Sequence, residues 1–420
     1  MRLPSASWTS ATGFRGVYAQ ERSHAGELSK PLEQGGRPAP HEGGLFVANL
    51  LCVGLKQTCG LSVKGTIRSL AAVGLTASVL TGSAAAQTVE RAPLPRIIVL
   101  ATGGTIAGTA DPRSAIGYNS GTVSGLQLIK GVPGIEQLAN LSAEQISNVG
   151  SQDMNDKIWF KLAGRINEIF EKGEADGVVI THGTDTIEET AFFLENVVRS
   201  DKPVVLVGSM RPGGSTSADG PSNLYEAVKV GASPQSKGRH VMVVLNDKIH
   251  GPRWVTKTNT TAVETFRDPN AGVLGYVDPA HIRFLGAPTP PKAPYLLPAG
   301  EQLPRVEIVY AHSNMDAVQI DNAVRDGAKG IVVAGEGDGS ASKEALEALE
   351  RAVKAGVAVI RSTRVVSGFV NRNVEVDDDK SGFVVSYDLN PQKARLLAQL
   401  LIANGITKPD PMQRAFAATW

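Results

Sequence analysis

From residue 95 onward the chain repeats one unit: a short Val/Ile/Leu run, a glycine-rich turn, then a stretch of helical period. The runs Arg96 to Ala101, Gly177 to Thr181, Pro203 to Val207 and Val241 to Leu245 have the length and β-branched content of parallel strands buried on both faces. Between them, residues 156–173 put Ile158, Leu162, Ile166 and Ile169 on one helical stripe that stops at Gly173. The stretch "TIEETAFFLENVV" opens with Thr186 and Glu189 at capping-box spacing. Such alternation predicts an α/β fold with a mostly parallel sheet. Residues 285–304 hold six prolines in twenty positions and read as a linker. Beyond it, runs near Val306 to Tyr310, Gly330 to Val333 and Val357 to Ile360 predict a second unit of the same kind. The expectation is two α/β domains, over 92–284 and 305–420, each a mostly parallel sheet flanked by helices.

The first 86 residues do not share this pattern. Residues 1–60 have no sustained period, and no fold is expected there: they read as a disordered or mis-assigned extension. Residues 61–86 have the order of a secretory signal peptide, with Lys64 and Arg68, an apolar stretch from Leu70 to Leu80, and Ala84-Ala85-Ala86 before Gln87. That stretch is too short for a stable membrane span. A signal normally begins a protein, so a start codon placed too far upstream is the expected origin of the extension. Cleavage would deliver the rest to the periplasm, free of the membrane. It would leave 34 basic and 37 acidic residues of the chain's 42 and 41, a formal charge of −3, and would remove both Cys52 and Cys59. Neither that charge nor the whole chain's +1 makes a case for nucleic acid or an acidic membrane as partner.

Two threonine clusters fall where strands end. "VLATGGTIAG" (99–108) carries Thr102 and Thr105, and "VVITHGTDTIEET" (178–190) carries Thr181, Thr184 and Thr186. In open α/β sheets ligands sit beyond the carboxyl ends of the strands. The first cluster fails as a dinucleotide fingerprint, since its glycines read G-G-x-x-x-G, and as a P-loop, since no G-K-[ST] follows. A plain strand-to-helix turn and a presented hydroxyl nucleophile remain. A neutral hydroxyl needs a base or a cationic neighbour. Tyr118 in a polar Gly/Ser loop, Asp185 directly after Thr184, and Lys257 among threonines in "WVTKTNTTAVETF" are candidates. A lysine held against a carboxylate can act as base or relay, and such assistance is typically worth ~10²–10⁴-fold in rate. The seven histidines are scattered, with only His182 near the proposed crevice, and no metal-ligand spacing or G-x-S-x-G elbow occurs.

These segments, with "GSQDMND" (150–156), "DKPVVLVGSMRP" (201–212), "SADGPSNLYEAV" (217–228), "VTKTNTT" (255–261) and "LNPQKAR" (389–395), resemble the bacterial L-asparaginase family from about residue 95 to the C-terminus. With the signal peptide, the exported type II branch is the nearer likeness. The resemblance implies a two-domain α/β fold and a homotetramer, a dimer of dimers whose active sites are each completed by a neighbouring subunit. It implies hydrolysis of L-asparagine to L-aspartate and ammonia without metal or organic cofactor. Thr105 matches the nucleophile and Tyr118 the lid tyrosine that activates it. Thr184, Asp185 and Lys257 match a second triad. Ser151 and Gln152 match the groups that hold the substrate α-carboxylate, and Asp185 also takes its α-ammonium. Glu375 matches an acidic residue reaching in from the partner subunit. An α-amino acid brings one cation and one anion, so one fixed carboxylate and a set of neutral donors suit it.

Where strict asparaginases carry asparagines, "GEGDGSAS" (335–342) has Asp338 and Ser340. Serine at the second position, and Ser209 in place of alanine, accompany tolerance of glutamine, whereas "GSQDMND" leans toward asparagine. One methylene is worth only ~1–3 kcal/mol of discrimination, so a glutaminase-asparaginase is the near alternative. A non-catalytic periplasmic amino-acid-binding protein is the remote one, and it has no need for Thr105, Thr184 and Lys257 together.

Overall fold

The computed structural model describes residues 93–111, 118–289 and 293–418. The expected extension and signal peptide therefore lie outside the described residues. The larger sheet has eight strands: β1 (Arg96–Gly103), β2 (Asn140–Val149), β3 (Gly177–Thr181), β4 (Val204–Val207), β5 (Val241–Leu245), β6 (Lys248–His250), β7 (Gly275–Val277) and β8 (Ile282–Phe284). Their order is β8-β7-β6-β5-β4-β3-β1-β2. The run from β5 to β2 is parallel, while β6, β7 and β8 add an antiparallel margin. Every residue of β3, β4 and β5 is buried, as strands covered by helices on both faces must be. The smaller sheet is wholly parallel, in the order β9 (Val306–Tyr310), β10 (Gly330–Gly335), β11 (Ala358–Thr363), β12 (Val384–Val385).

The helices are α1 (Asp156–Glu171), α2 (Ile187–Val197), α3 (Gly220–Ala232), α4 (Val318–Arg325), α5 (Lys343–Lys354), α6 (Pro391–Ala403) and α7 (Pro409–Ala417), with short turns of helix at Gly125–Lys130 and Asp378–Ser381. Among the described residues no helix is long and apolar enough to cross a membrane. On α1, Leu162, Ile166 and Ile169 are buried as expected, but Ile158 is only partly covered. Trp159 takes the buried place beside them, because its indole stacks on Phe193 at 5.1 Å between ring centroids and its N–H donates to Thr190 Oγ1 at 2.8 Å. The capping box expected at α2 does not form. Thr186 stands at the N-cap, but its hydroxyl donates to the Ser151 carbonyl at 2.7 Å instead of accepting from its own helix.

One apolar core joins the two sheets. It runs from Leu100 and Ile180 through Phe193 on α2 and Leu397 and Leu400 on α6 to Val332 and Ile360 of the smaller sheet. The stretch 293–304 is fastened along this seam: Tyr295 N donates to Asn196 O at 2.9 Å, Leu303 N to Asp156 Oδ2 at 2.8 Å, and Leu303 itself is buried. Phe193, fully buried on α2 and stacked on Trp159 of α1, is the test of this packing. Phe193→Ala should lower unfolding free energy by about 3–5 kcal/mol in chemical denaturation. A loss below about 1 kcal/mol would contradict its central place.

Candidate active site

β1 and β3 are parallel neighbours in register through Ala101↔Thr181, so the two threonine clusters emerge side by side at their carboxyl ends. Thr102 Oγ1 donates to the Thr181 carbonyl at 2.9 Å and ties them. Beyond that bond the chains cross at glycines. Gly104 has φ 78°, a left-handed conformation that residues with a Cβ rarely adopt. A Cβ on Gly104 would lie 2.3 Å from the Gly183 nitrogen, and one on Gly183 would lie 2.7 Å from Ser151 Oγ. Three turns therefore interlock at backbone distance. Thr105 starts the first and is nearly buried, Thr184 follows the second, and Ser151 starts the third at the end of β2.

Lys257 completes the group from a two-residue strand, Thr256–Lys257, paired with Phe266–Arg267. Its Nζ donates to Thr184 Oγ1 at 2.9 Å and to Asp185 Oδ1 at 2.6 Å. The Asp185 carboxylate keeps 56% of its surface, so it can also receive a cation from outside. Asp185 N donates to Ser151 Oγ at 3.2 Å, which binds the second and third turns together. Gln152 is exposed directly after Ser151. Thr105, Thr184, Asp185, Lys257, Ser151 and Gln152 are thus gathered at one end of β2, β1 and β3. The arrangement offers a nearly buried hydroxyl, a lysine-bound hydroxyl, a free-faced carboxylate and neutral donors.

The remaining expected residues are elsewhere. Tyr118 pairs with Ala110 through its backbone, and its side chain lies outside the described residues. Ser340 exchanges two backbone bonds of 2.8 Å with Glu336 in the loop after β10, and Glu375 is exposed on the loop after β11. No hydrogen bond or ion pair joins either of them to the Thr184 group among the described residues. Arg361 on β11 holds both loops: it forms a buried two-pronged pair with Asp378 at 2.7 and 2.8 Å and donates to the carbonyls of Asp338, Gly339 and Asn371. The Asp338 carboxylate accepts from Asn371 N and Nδ2 at 2.7 and 3.0 Å, so it is committed to that loop. Ser209 is buried and donates to Arg211 O at 2.9 Å, which commits its hydroxyl to its own turn.

His182 lies near the crevice but faces away from it. The Gly183 carbonyl can only accept, so His182 Nδ1–H donates to it at 2.7 Å, and in the neutral ring Nε2 accepts from the Thr190 hydroxyl at 2.9 Å, whose oxygen also receives Trp159 Nε1–H. The ring is neutral and holds the peptide that leads into Thr184. Complete burial pulls its pKa down to about 4, slightly opposed by the Gly183 carbonyl. No group of three or more His, Cys, Asp and Glu among the described residues is placed to hold a metal ion.

Two family models cover most of the chain: the asparaginase N-terminal model matches residues 96–290, and the glutaminase/asparaginase C-terminal domain model matches 305–416. The chain belongs to the asparaginase family. This asparaginase-family hydrolase is 48% identical over 329 residues to the probable periplasmic L-asparaginase of Haemophilus influenzae, covering 77% of this chain and 93% of that one. It is 41% identical over 340 residues to the glutaminase-asparaginase of Pseudomonas fluorescens biotype A, covering 80% and 93%. The solved structure of a probable cytoplasmic L-asparaginase from Campylobacter jejuni superposes with a TM-score of 0.71 at 43% identity, covering 77% of this chain and 99% of that one. The family's two-domain α/β fold is therefore also that of this enzyme.

The buried imidazole of the hydrolase has a consequence for pH. Its folded pKa of about 4 lies below the ordinary 6.5, so the unfolded chain takes up the proton first as pH falls. Its contribution to stability is whole above about pH 6.5 and is lost between there and about pH 4, on the order of 3 kcal/mol in total. Denaturation free energies measured across that window should fall less steeply for His182→Gln than for the unaltered enzyme. Parallel slopes would contradict a neutral buried ring.

Proposed function

We propose that this enzyme hydrolyses L-asparagine to L-aspartate and ammonia with Thr105 as nucleophile. The observation that carries the reading is Lys257 donating to both Thr184 and Asp185 in the same glycine crossing that holds Thr105. In this reading the Asp185 carboxylate takes the substrate α-ammonium, and Ser151 and Gln152 take its α-carboxylate. The side-chain amide then lies over Thr105. The Thr105 hydroxyl attacks the amide carbon, its proton passing to Tyr118 and on to the departing nitrogen, which leaves as ammonia. Water, oriented by Thr184 with Lys257 behind it, cleaves the resulting ester and frees aspartate. Backbone N–H groups of the two glycine turns supply donors for the oxyanion, an effect worth roughly 3–4 kcal/mol per donor in other enzymes.

Glu375 is proposed to reach the site of a partner subunit in a homotetramer, with Ser340 beside it. The apolar side chains of Val365, Val366, Phe369 and Val374 are exposed on the loop that carries Glu375, which supports a surface covered by a partner. Export rests on the signal-like residues 61–86 and on a relative named as periplasmic. Comparable action on L-glutamine is the second reading, favoured by Ser340 and by likeness to a glutaminase-asparaginase.

Ammonia release by the purified protein, with each amide as sole substrate, tests both readings. Asparagine should be preferred in kcat/KM by about tenfold or more, the worth of one methylene. Equal values would make the enzyme a glutaminase-asparaginase, and no release from either would end the hydrolase reading. Thr105→Ala should lower kcat by ~10³-fold or more while aspartate binding persists. Unchanged turnover in that variant would remove Thr105 as nucleophile.

A further inference from the structure

The motif "LNPQKAR" (389–395) has no part in the chemistry above, yet its residues converge beneath the strand that carries Lys257. Asn390 caps α6 by accepting from Lys393 N at 3.1 Å, and its Nδ2 donates to Glu188 Oε2 at 3.1 Å. Gln392 Nε2 donates to Glu188 Oε1 at 2.9 Å. Lys393 Nζ sits 3.4 Å from Glu188 Oε2 and donates to the carbonyls of Arg253, at 3.0 Å, and Val255. Glu188 belongs to the first turn of α2, three residues after Asp185, and also accepts from Thr256 Oγ1 at 3.2 Å. Both members of the pair are buried, 5% exposed for Glu188 and 1% for Lys393. Burial pulls the Lys393 ammonium down, and the Glu188 carboxylate is the first group to oppose that pull.

The approach to Lys257 is fastened residue by residue. Arg253 and Trp254 both bond the carboxylate of Asp388. Lys393 holds the carbonyls of Arg253 and Val255, and Glu188 holds the hydroxyl of Thr256. Lys257 comes next, and reaches back to Thr184 and Asp185 at the head of the helix that carries Glu188. Two helices and one strand thus meet on a single buried ion pair.

We infer that Glu188 and Lys393 are positioning residues for Lys257, through which helix α6 of the smaller sheet sets the geometry of the Thr184–Asp185–Lys257 group. This rests on the reading of that group as part of the hydrolytic site. An ion pair serving stability alone would change the melting temperature when replaced by an uncharged pair of similar volume and would leave turnover per folded enzyme unchanged.

The experiment compares the unaltered full chain with Glu188→Gln/Lys393→Met and with Thr256→Val. It measures melting temperature, kcat and KM for L-asparagine, and the Kd of L-aspartate by calorimetry. The double variant is expected to melt lower than the unaltered enzyme, since the Arg253 and Val255 carbonyls lose their donor, and to bind aspartate within about threefold, while kcat measured below its melting range falls about 10- to 100-fold, the scale of a displaced group of the order of 1 Å. A folded double variant with kcat within about twofold overturns the inference. If the double variant does not fold, Thr256→Val decides: a several-fold lower kcat at unchanged aspartate Kd supports the inference, and an unchanged kcat overturns it. An unaltered enzyme that releases no ammonia from asparagine would instead overturn the reading of the site, and this inference with it.

Discussion

Gly104 and Gly183 approach so closely that a Cβ on the first would meet the nitrogen of the second at 2.3 Å, and the proposed site depends on neither residue carrying one. Each such glycine costs the fold roughly 0.5–1 kcal/mol of chain entropy. That cost is offset by the strands behind the crossing: β3, β4 and β5 are buried along their whole length, and β1 along all but its first residue. Because β1 and β3 are neighbours in register, the crossing comes at their common end and delivers Thr105 and Thr184 together. Ser151 arrives by the same logic, from β2 on the other side of β1. The gathering of these hydroxyls is thus a product of strand order and of two missing side chains.

Around that crossing the protein spends its buried polar groups on holding peptides rather than on touching substrate. His182 is neutral and fixes the Gly183 carbonyl, Thr102 fixes the Thr181 carbonyl, and Lys393 fixes those of Arg253 and Val255. Arg361 does the same for the loops of Ser340 and Glu375. A nucleophile at a strand end works only if its partners are held to within a fraction of an ångström, and buried bonds to backbone carbonyls provide that stiffness. The continuous core through α2 and α6 makes the smaller sheet part of the same frame.

How much of this was legible in the sequence follows from what each signal is made of. β1, β3, β4 and β5 announce themselves because burial on both faces demands unbroken Val/Ile/Leu runs. β2 escapes notice: "NLSAEQISNV" lies at the sheet edge with one face open, so its apolar content is low although it positions Ser151. Ile158 looks like a stripe residue by spacing, but packing prefers the larger Trp159, which also finds a partner for its N–H. Thr186 and Glu189 have capping-box spacing, yet the Ser151 carbonyl is the better partner, and only the third dimension reveals it. Lys257 could be marked as an unusual lysine among threonines, whereas Glu188 and Lys393, two hundred residues apart, carry no local sign of being a pair.

The claim on which the account stands is that Thr105, and not Thr184, forms the covalent intermediate. Rapid acid quench of the enzyme turning over L-asparagine, followed by peptide mapping by mass spectrometry, reads this directly. A transient aspartyl ester is expected on the peptide containing Thr105 and none on the peptide containing Thr184. The ester on Thr184, or turnover with no ester on either threonine, would contradict it.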